Sequence, residues 1–136
     1  MFDAGVLSLH FISDPRVKKF FDDVEDGAAR GSIAAVNLSE FYYKTCQKIG
    51  KSTADTRYYQ VRNTKLEVLE TEAELCRVAA FEKCRQRADL SLADCYVLAA
   101  AKRLKATILT TDSELAKVKD VKTLFFSPKS FDLLRD

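Results

Sequence analysis

The chain has 136 residues, 47% apolar and 31% charged, an ordinary globular balance and enough for one domain that buries about two thirds of its unfolded surface. No apolar run reaches the roughly 18 residues of a spanning helix, and a net charge of +2 selects no class of partner by itself.

In chain order, Phe2 ends a short first strand and Gly5 to Ile12 follows as a short helix. Asp14-Pro15 opens the next helix, since aspartate caps and proline suits the first helical position. Val17, Phe20, Phe21 and Val24 form its apolar face, and Gly27 stops it. Ser32 to Val36 (SIAAV) reads as a buried strand, and Leu38 to Ile49 as a helix closed by Gly50. Ser52 with Asp55 has the spacing of a capping box for another helix. Leu66 to Leu69 (LEVL) is a third strand, and Thr71 with Glu74 caps a helix running to about Arg87. Ser91 to Lys105 is a helix apolar nearly all round, which places it inside the domain. Ala106 to Thr110 (ATILT), a short helix from Ser113 to Val118, and a fifth strand from Val121 to Phe126 complete the domain over residues 1–126. Residues 127–136 form a tail whose Phe131, Leu133 and Leu134 leave a docked helix and a disordered end both open. Strands alternating with helices predict an α/β fold, a parallel sheet covered on both faces in three layers.

Cys46, Cys76, Cys84 and Cys95 form no CxxC pair and there is one histidine, so a zinc site is not expected. They read as reduced thiols of a cytoplasmic protein; disulfides would suit only a hyperthermophile. The opening Met1-Phe2-Asp3 leads straight into the first strand, and no secretory signal is expected.

Ligands of an open parallel sheet bind beyond the carboxyl ends of its strands. Asp3 follows the first strand, Glu40 follows the second, Asp112 follows the fourth, and Asp94 lies in the first turn of the apolar helix. Capping accounts for several of these singly. Asn37/Glu40, Ser91/Asp94 and Thr111/Glu114 have box spacing, and Asp112 is itself a suitable N-cap. Asp3, straight after a core strand, has no such local account. The set needs another explanation, because two carboxylates ~5 Å apart at an effective dielectric of ~20 repel by roughly 3 kcal/mol. No lysine or arginine adjoins the four in sequence, so a hard divalent cation, Mg²⁺ or Mn²⁺ as one or two ions, is the expected counter-charge. Such an ion acidifies water that can attack phosphorus.

The motifs "FDAGVL", "AAVNLSEFYY", "LSLADCYVLAAAKRLKATILTTDSEL" and "VKTLFF" resemble those of PIN domains, most of all the VapC-type toxin ribonucleases, over residues 1–126. The resemblance implies a five-stranded parallel sheet in the order 3-2-1-4-5 and an Mg²⁺- or Mn²⁺-dependent endoribonuclease acting on single-stranded RNA, leaving 3′-hydroxyl and 5′-phosphate ends. Asp3, Glu40, Asp94 and Asp112 would be the catalytic metal ligands, with Thr110 or Thr111 orienting water or phosphate. A homodimer and a VapB-like antitoxin, whose arginine faces the acids, are also implied. The alternatives are a PIN nuclease of RNA processing outside any toxin system, and a degenerate module that only binds RNA or protein. Gly5 stands where many relatives carry Ser, Thr or Asn, which predicts a missing hydroxyl or amide. Asn37, Asp89 and Glu114 are candidates for supporting the metal ligands.

Between Phe41 and Leu66 six basic residues face one acid, Asp55. Of these, Lys44, Lys48, Lys51 and Arg57 are the RNA-binding candidates, with solvated helix faces as the plainer account. His10 is expected to pack or to lie at the surface rather than act as a base, Cys95 to fill core, and a tyrosine among Tyr42, Tyr43, Tyr58 and Tyr59 to stack on a base or to pack.

Overall fold

Alternation along short strands builds the two cores. Phe2, Ile33 and Leu109 point into one apolar cluster, with Leu7, Val17, Leu38, Phe41 and Leu66; their neighbours Met1, Ala34 and Ile108 point into a second, with Leu75, Leu98 and Leu115. This period of two places helices on both faces of the strands, as expected for an α/β chain. The computed structural model describes residues 1–86 and 90–128.

The elements are α1 (Ala4–Phe11), α2 (Pro15–Glu25), β1 (Ser32–Ala34), α3 (Ala35–Ile49), α4 (Lys51–Arg62), β2 (Glu67–Leu69), α5 (Ala73–Gln86), α6 (Leu92–Leu104), β3 (Ile108–Thr110), α7 (Ser113–Ala116) and β4 (Thr123–Phe125). Among the described residues there are two parallel two-stranded sheets, β1 with β2 and β3 with β4, rather than one of five strands. Residues 1–3 lie between them. The Phe2 N–H donates to Ser32 O at 2.8 Å, the Asp3 N–H donates to Leu109 O at 3.0 Å, and the Leu109 N–H donates to Met1 O at 2.8 Å. The first strand is thus an isolated bridge, because Asp3 immediately turns the chain into α1.

Helix α6 is buried from Asp94 through Ala101, as its continuous apolar surface predicts. Its N-terminus carries the expected capping box of Ser91 and Asp94. The other box spacings are not used as boxes. Glu72, not Thr71, accepts the N–H groups of Glu74 and Leu75. Of the two caps the sequence offers α7, Asp112 is the one used, as expected of a suitable N-cap, and Thr111 is not. Helix α4 starts directly after Gly50, whose φ of 93° separates it from α3, while the Asp55 oxygens are taken by Tyr42 and Lys51. In the first two, a carboxylate replaces a hydroxyl, since a charge-assisted bond is roughly twice as strong as a neutral one.

Helix α3 begins at Ala35, three residues earlier than expected. The β1–β2 ladder ends at the Ala34–Leu69 pair, so Ala35 and Val36 lack strand partners and satisfy their backbone as a helical turn. Asn37 therefore lies inside the helix and caps nothing. Among the described residues no helix is long and apolar enough to cross a membrane. The tail leaves β4 with Ser127 O accepting from Arg16 at 2.8 Å; the two readings of the tail, docked helix or disordered end, fall at residues 129–136, which like Arg87 and Asp89 lie outside the described residues.

Candidate active site

The turn that ends the Phe2 bridge sets Asp3 at the N-terminus of α1, where Oδ1 accepts the Val6 N–H at 3.1 Å. Asp3 thus has the capping role that its sequence context did not suggest. It is 5% exposed, and its Oδ2 accepts a short hydrogen bond from Thr110 Oγ1. The same Thr110 oxygen accepts the Asp112 N–H at 2.9 Å, so one hydroxyl links Asp3 to the start of α7. Burial, reinforced by the charges of Asp94 and Glu40, raises the Asp3 pKa to about 6. Asp94 is 8% exposed, and burial together with the adjacent Asp112 carboxylate raises its pKa to about 6 as well. Asp3 senses Asp94 and Glu40, and Asp94 senses Asp112, so acids from α1, α3, α6 and the start of α7 form one electrostatic cluster.

A family model for the PIN domain matches residues 1–121. The chain belongs to the PIN domain family. Comparison with curated protein sequences finds no match. Among solved structures, this PIN domain is similar to VapBC2 from Rickettsia felis bound to a DNA fragment from its promoter, with 13% identity and a TM-score of 0.69, covering 93% of this chain and 98% of that one. It is also similar to VapBC-1 from nontypeable Haemophilus influenzae (12%, TM-score 0.66, covering 92% and 96%) and to FitAcB from Neisseria gonorrhoeae (18%, TM-score 0.66, covering 92% and 95%). At these identities the likeness is one of fold.

Glu40 has a counter-charge that its neighbours in sequence did not announce: Lys44, one helical turn on, reaches it at 3.5 Å. Asn37 lies on the other side of Glu40, and its Nδ2 donates to Ala93 O at 3.2 Å, joining α3 to the turn that carries Asp94. Among the described residues its Oδ1 is a buried acceptor without a donor, a chemistry that suits a bound water. Glu114 turns away to Lys117 at 2.9 Å. Gly5 lies directly under the Thr111 side chain, so a hydroxyl occupies the region where one was expected to be missing.

The donor set suits a hard cation: carboxylate oxygens that repel one another without one, with threonine hydroxyls beside them. Yet among the described residues no three His, Cys, Asp or Glu side chains stand in a geometry that could hold an ion as they lie. Asp3 caps α1, Asp94 accepts the Ser91 N–H at 3.1 Å, and Asp112 accepts the N–H groups of Glu114 and Leu115 at 2.8 and 3.3 Å, so each carboxylate is partly turned to backbone.

Two of the four basic candidates are engaged elsewhere. Lys51 pairs with Asp55 at 2.8 Å, and the Arg57 guanidinium lies 5.1 Å from the centre of the Phe11 ring. Lys44 and Lys48 are exposed along α3, with Lys44 nearest the acids through Glu40. Tyr42 donates to Asp55 at 2.7 Å and Tyr58 accepts from Arg62, while Tyr43 and Tyr59 are exposed. His10 packs as expected: its ring stacks on Phe21 with centroids 4.0 Å apart, and burial lowers its pKa. Cys95 is buried, and all four cysteines are free.

The two raised carboxyls fix a pH dependence. Between the ordinary aspartate value of 3.8 and about 6, the folded chain holds protons at Asp3 and Asp94 that the unfolded chain has released. Stability therefore falls as pH rises through that window, by at most about 3 kcal/mol per group. Urea midpoints of metal-free wild type and Asp3→Asn should match near pH 4 and diverge by pH 7, with the variant the more stable. A gap that stays constant with pH contradicts the assignment.

Proposed function

We propose that this PIN domain is a metal-dependent endoribonuclease of the VapC toxin type, cutting phosphodiester bonds of single-stranded RNA. The observation that carries the reading is the cluster itself: Asp3 and Asp94 are buried, hold raised pKa values, and press on Glu40 and Asp112 at the carboxyl ends of the strands. A fold has no use for that repulsion unless a positive partner relieves it. Asp3, Glu40, Asp94 and Asp112 would hold one or two Mg²⁺ or Mn²⁺ ions. When bound, such an ion supplies Lewis acidity toward a phosphoryl oxygen and a more acidic water.

The chain's own residues then have separable tasks. Thr110 keeps Asp3 and the start of α7 in register through one hydroxyl, and Asn37 keeps α3 and α6 together beside Glu40 and Asp94. In this reading Lys44 and Lys48, exposed along α3 beside and beyond Glu40, would contact the RNA backbone. A five-position strand order of 3-2-1-4-5 belongs to this reading and is supported by the bonds of residues 1–3 to both sheets. So does a VapB-like antitoxin whose arginine relieves the same repulsion, supported by the likeness to VapBC structures, together with a homodimer.

The absence of a preformed three-residue cage among the described residues favours one second reading, a module that binds RNA or protein without cutting. Incubating the purified chain with a single-stranded RNA pool and Mn²⁺, then mapping new 5′ ends, separates the two. Cleavage that stops with chelator supports the nuclease; retention of intact RNA supports the binding module.

A further inference from the structure

Two elements that each bring an acid to the site are interlocked by a glycine. Gly5 lies in the first turn of α1, two residues after Asp3, and Thr111 lies next to Asp112 in the turn between β3 and α7. A Cβ on Gly5 would overlap Thr111 Oγ1 and stand 3.0 Å from Thr111 Cβ and 3.2 Å from its Cγ2. Gly5 has no positive φ, unlike Gly27 and Gly50, so space rather than backbone freedom is what it provides. Within a helix a glycine is otherwise a weakening choice. The preceding residue, Thr110, ties the same turn to Asp3 through its hydroxyl. Consecutive threonines therefore hold the β3–α7 turn to α1 in two ways, one by hydrogen bonding and one by packing.

We infer that Thr111 is a positioning residue which, seated on Gly5, sets the separation of Asp3 and Asp112. The contact stands on its own; its consequence for metal binding rests on the nuclease site proposed above. A side chain at position 5 pushes the turn off α1 and moves Asp112 away from Asp3. Removing the Thr111 side chain relieves that clash but leaves the turn held to Asp3 by Thr110 alone.

The test is a double-mutant cycle with Gly5→Ala, Thr111→Ala, the pair together and Thr111→Ser, each measured for melting temperature without metal and for the midpoint of its response to MnCl₂. Gly5→Ala should lower the metal-free melting temperature by roughly 5–10 °C, as overpacking does. The double variant should recover at least half of that loss. Thr111→Ser should behave as wild type in both readouts. Thr111→Ala should melt within a few degrees of wild type yet need about tenfold more Mn²⁺, the usual effect of losing support behind a metal ligand. If Gly5→Ala does not fold, recovery of a folded double variant still supports the interlock, and an unfolded double variant overturns it. Wild-type stability of Gly5→Ala, or simple additivity in the cycle, also overturns it. An unchanged Mn²⁺ midpoint in Thr111→Ala removes the positioning role. A wild type that ignores Mn²⁺ defeats the nuclease reading, while the metal-free cycle still decides the contact.

Discussion

Replacing Asp94 with asparagine is expected to lower metal-dependent RNA cleavage by at least about 10²–10³-fold, the cost typical of removing one preorganised electrostatic contact from a reacting centre. The fold should survive. Asparagine keeps an oxygen that can accept the Ser91 N–H, so the N-terminus of α6 stays capped. It also removes the charge that burial and Asp112 disfavour, so the metal-free variant should melt a few degrees higher than wild type at pH 7. Loss of activity with gain of stability is the signature that separates a functional carboxylate from a structural cap. If Asp94 served only to cap, the variant would cut RNA normally. Near-normal, metal-dependent cleavage by Asp94→Asn would therefore remove it from the site. Asp112→Asn should lose cleavage similarly, since Asp112 is the carboxylate facing Asp94.

Adding Mn²⁺ to the metal-free wild type should raise its melting temperature by roughly 10 °C at a hundredfold excess over the dissociation constant, from about 2.7 kcal/mol of linkage. Raised carboxyl pKa values add a second signature. Protons must leave Asp3 and Asp94 before a cation can take their oxygens, so the Mn²⁺ midpoint should fall steeply from pH 5 to pH 7. A melting temperature indifferent to Mn²⁺ at pH 7, in a chain that also leaves RNA intact, would favour the binding module.

The order of elements was legible from local pattern. Alternating apolar runs marked the strands, Gly50 marked the break between α3 and α4, and the all-round apolar surface of α6 marked it as buried. The positions of the acids after strands were legible for the same reason, because chain order fixes which residues follow a strand. Their immediate partners were less so. Helix α3 absorbed Ala35 and Val36 once the β1–β2 ladder ran out, which moved Asn37 from a cap to a tether on Ala93 and left Glu40 within reach of Lys44.

By itself the sequence determined an alternating α/β chain, three acids that follow strands and a fourth in the first turn of a buried helix, since burial periodicity and residue order are local properties. Only the tertiary structure decided that Asp3 caps α1, that Thr110 holds it across 107 positions of chain, and that Gly5 makes room for Thr111. Periodicity records which side of an element is buried, whereas the atom a side chain meets depends on elements brought together from distant parts of the chain.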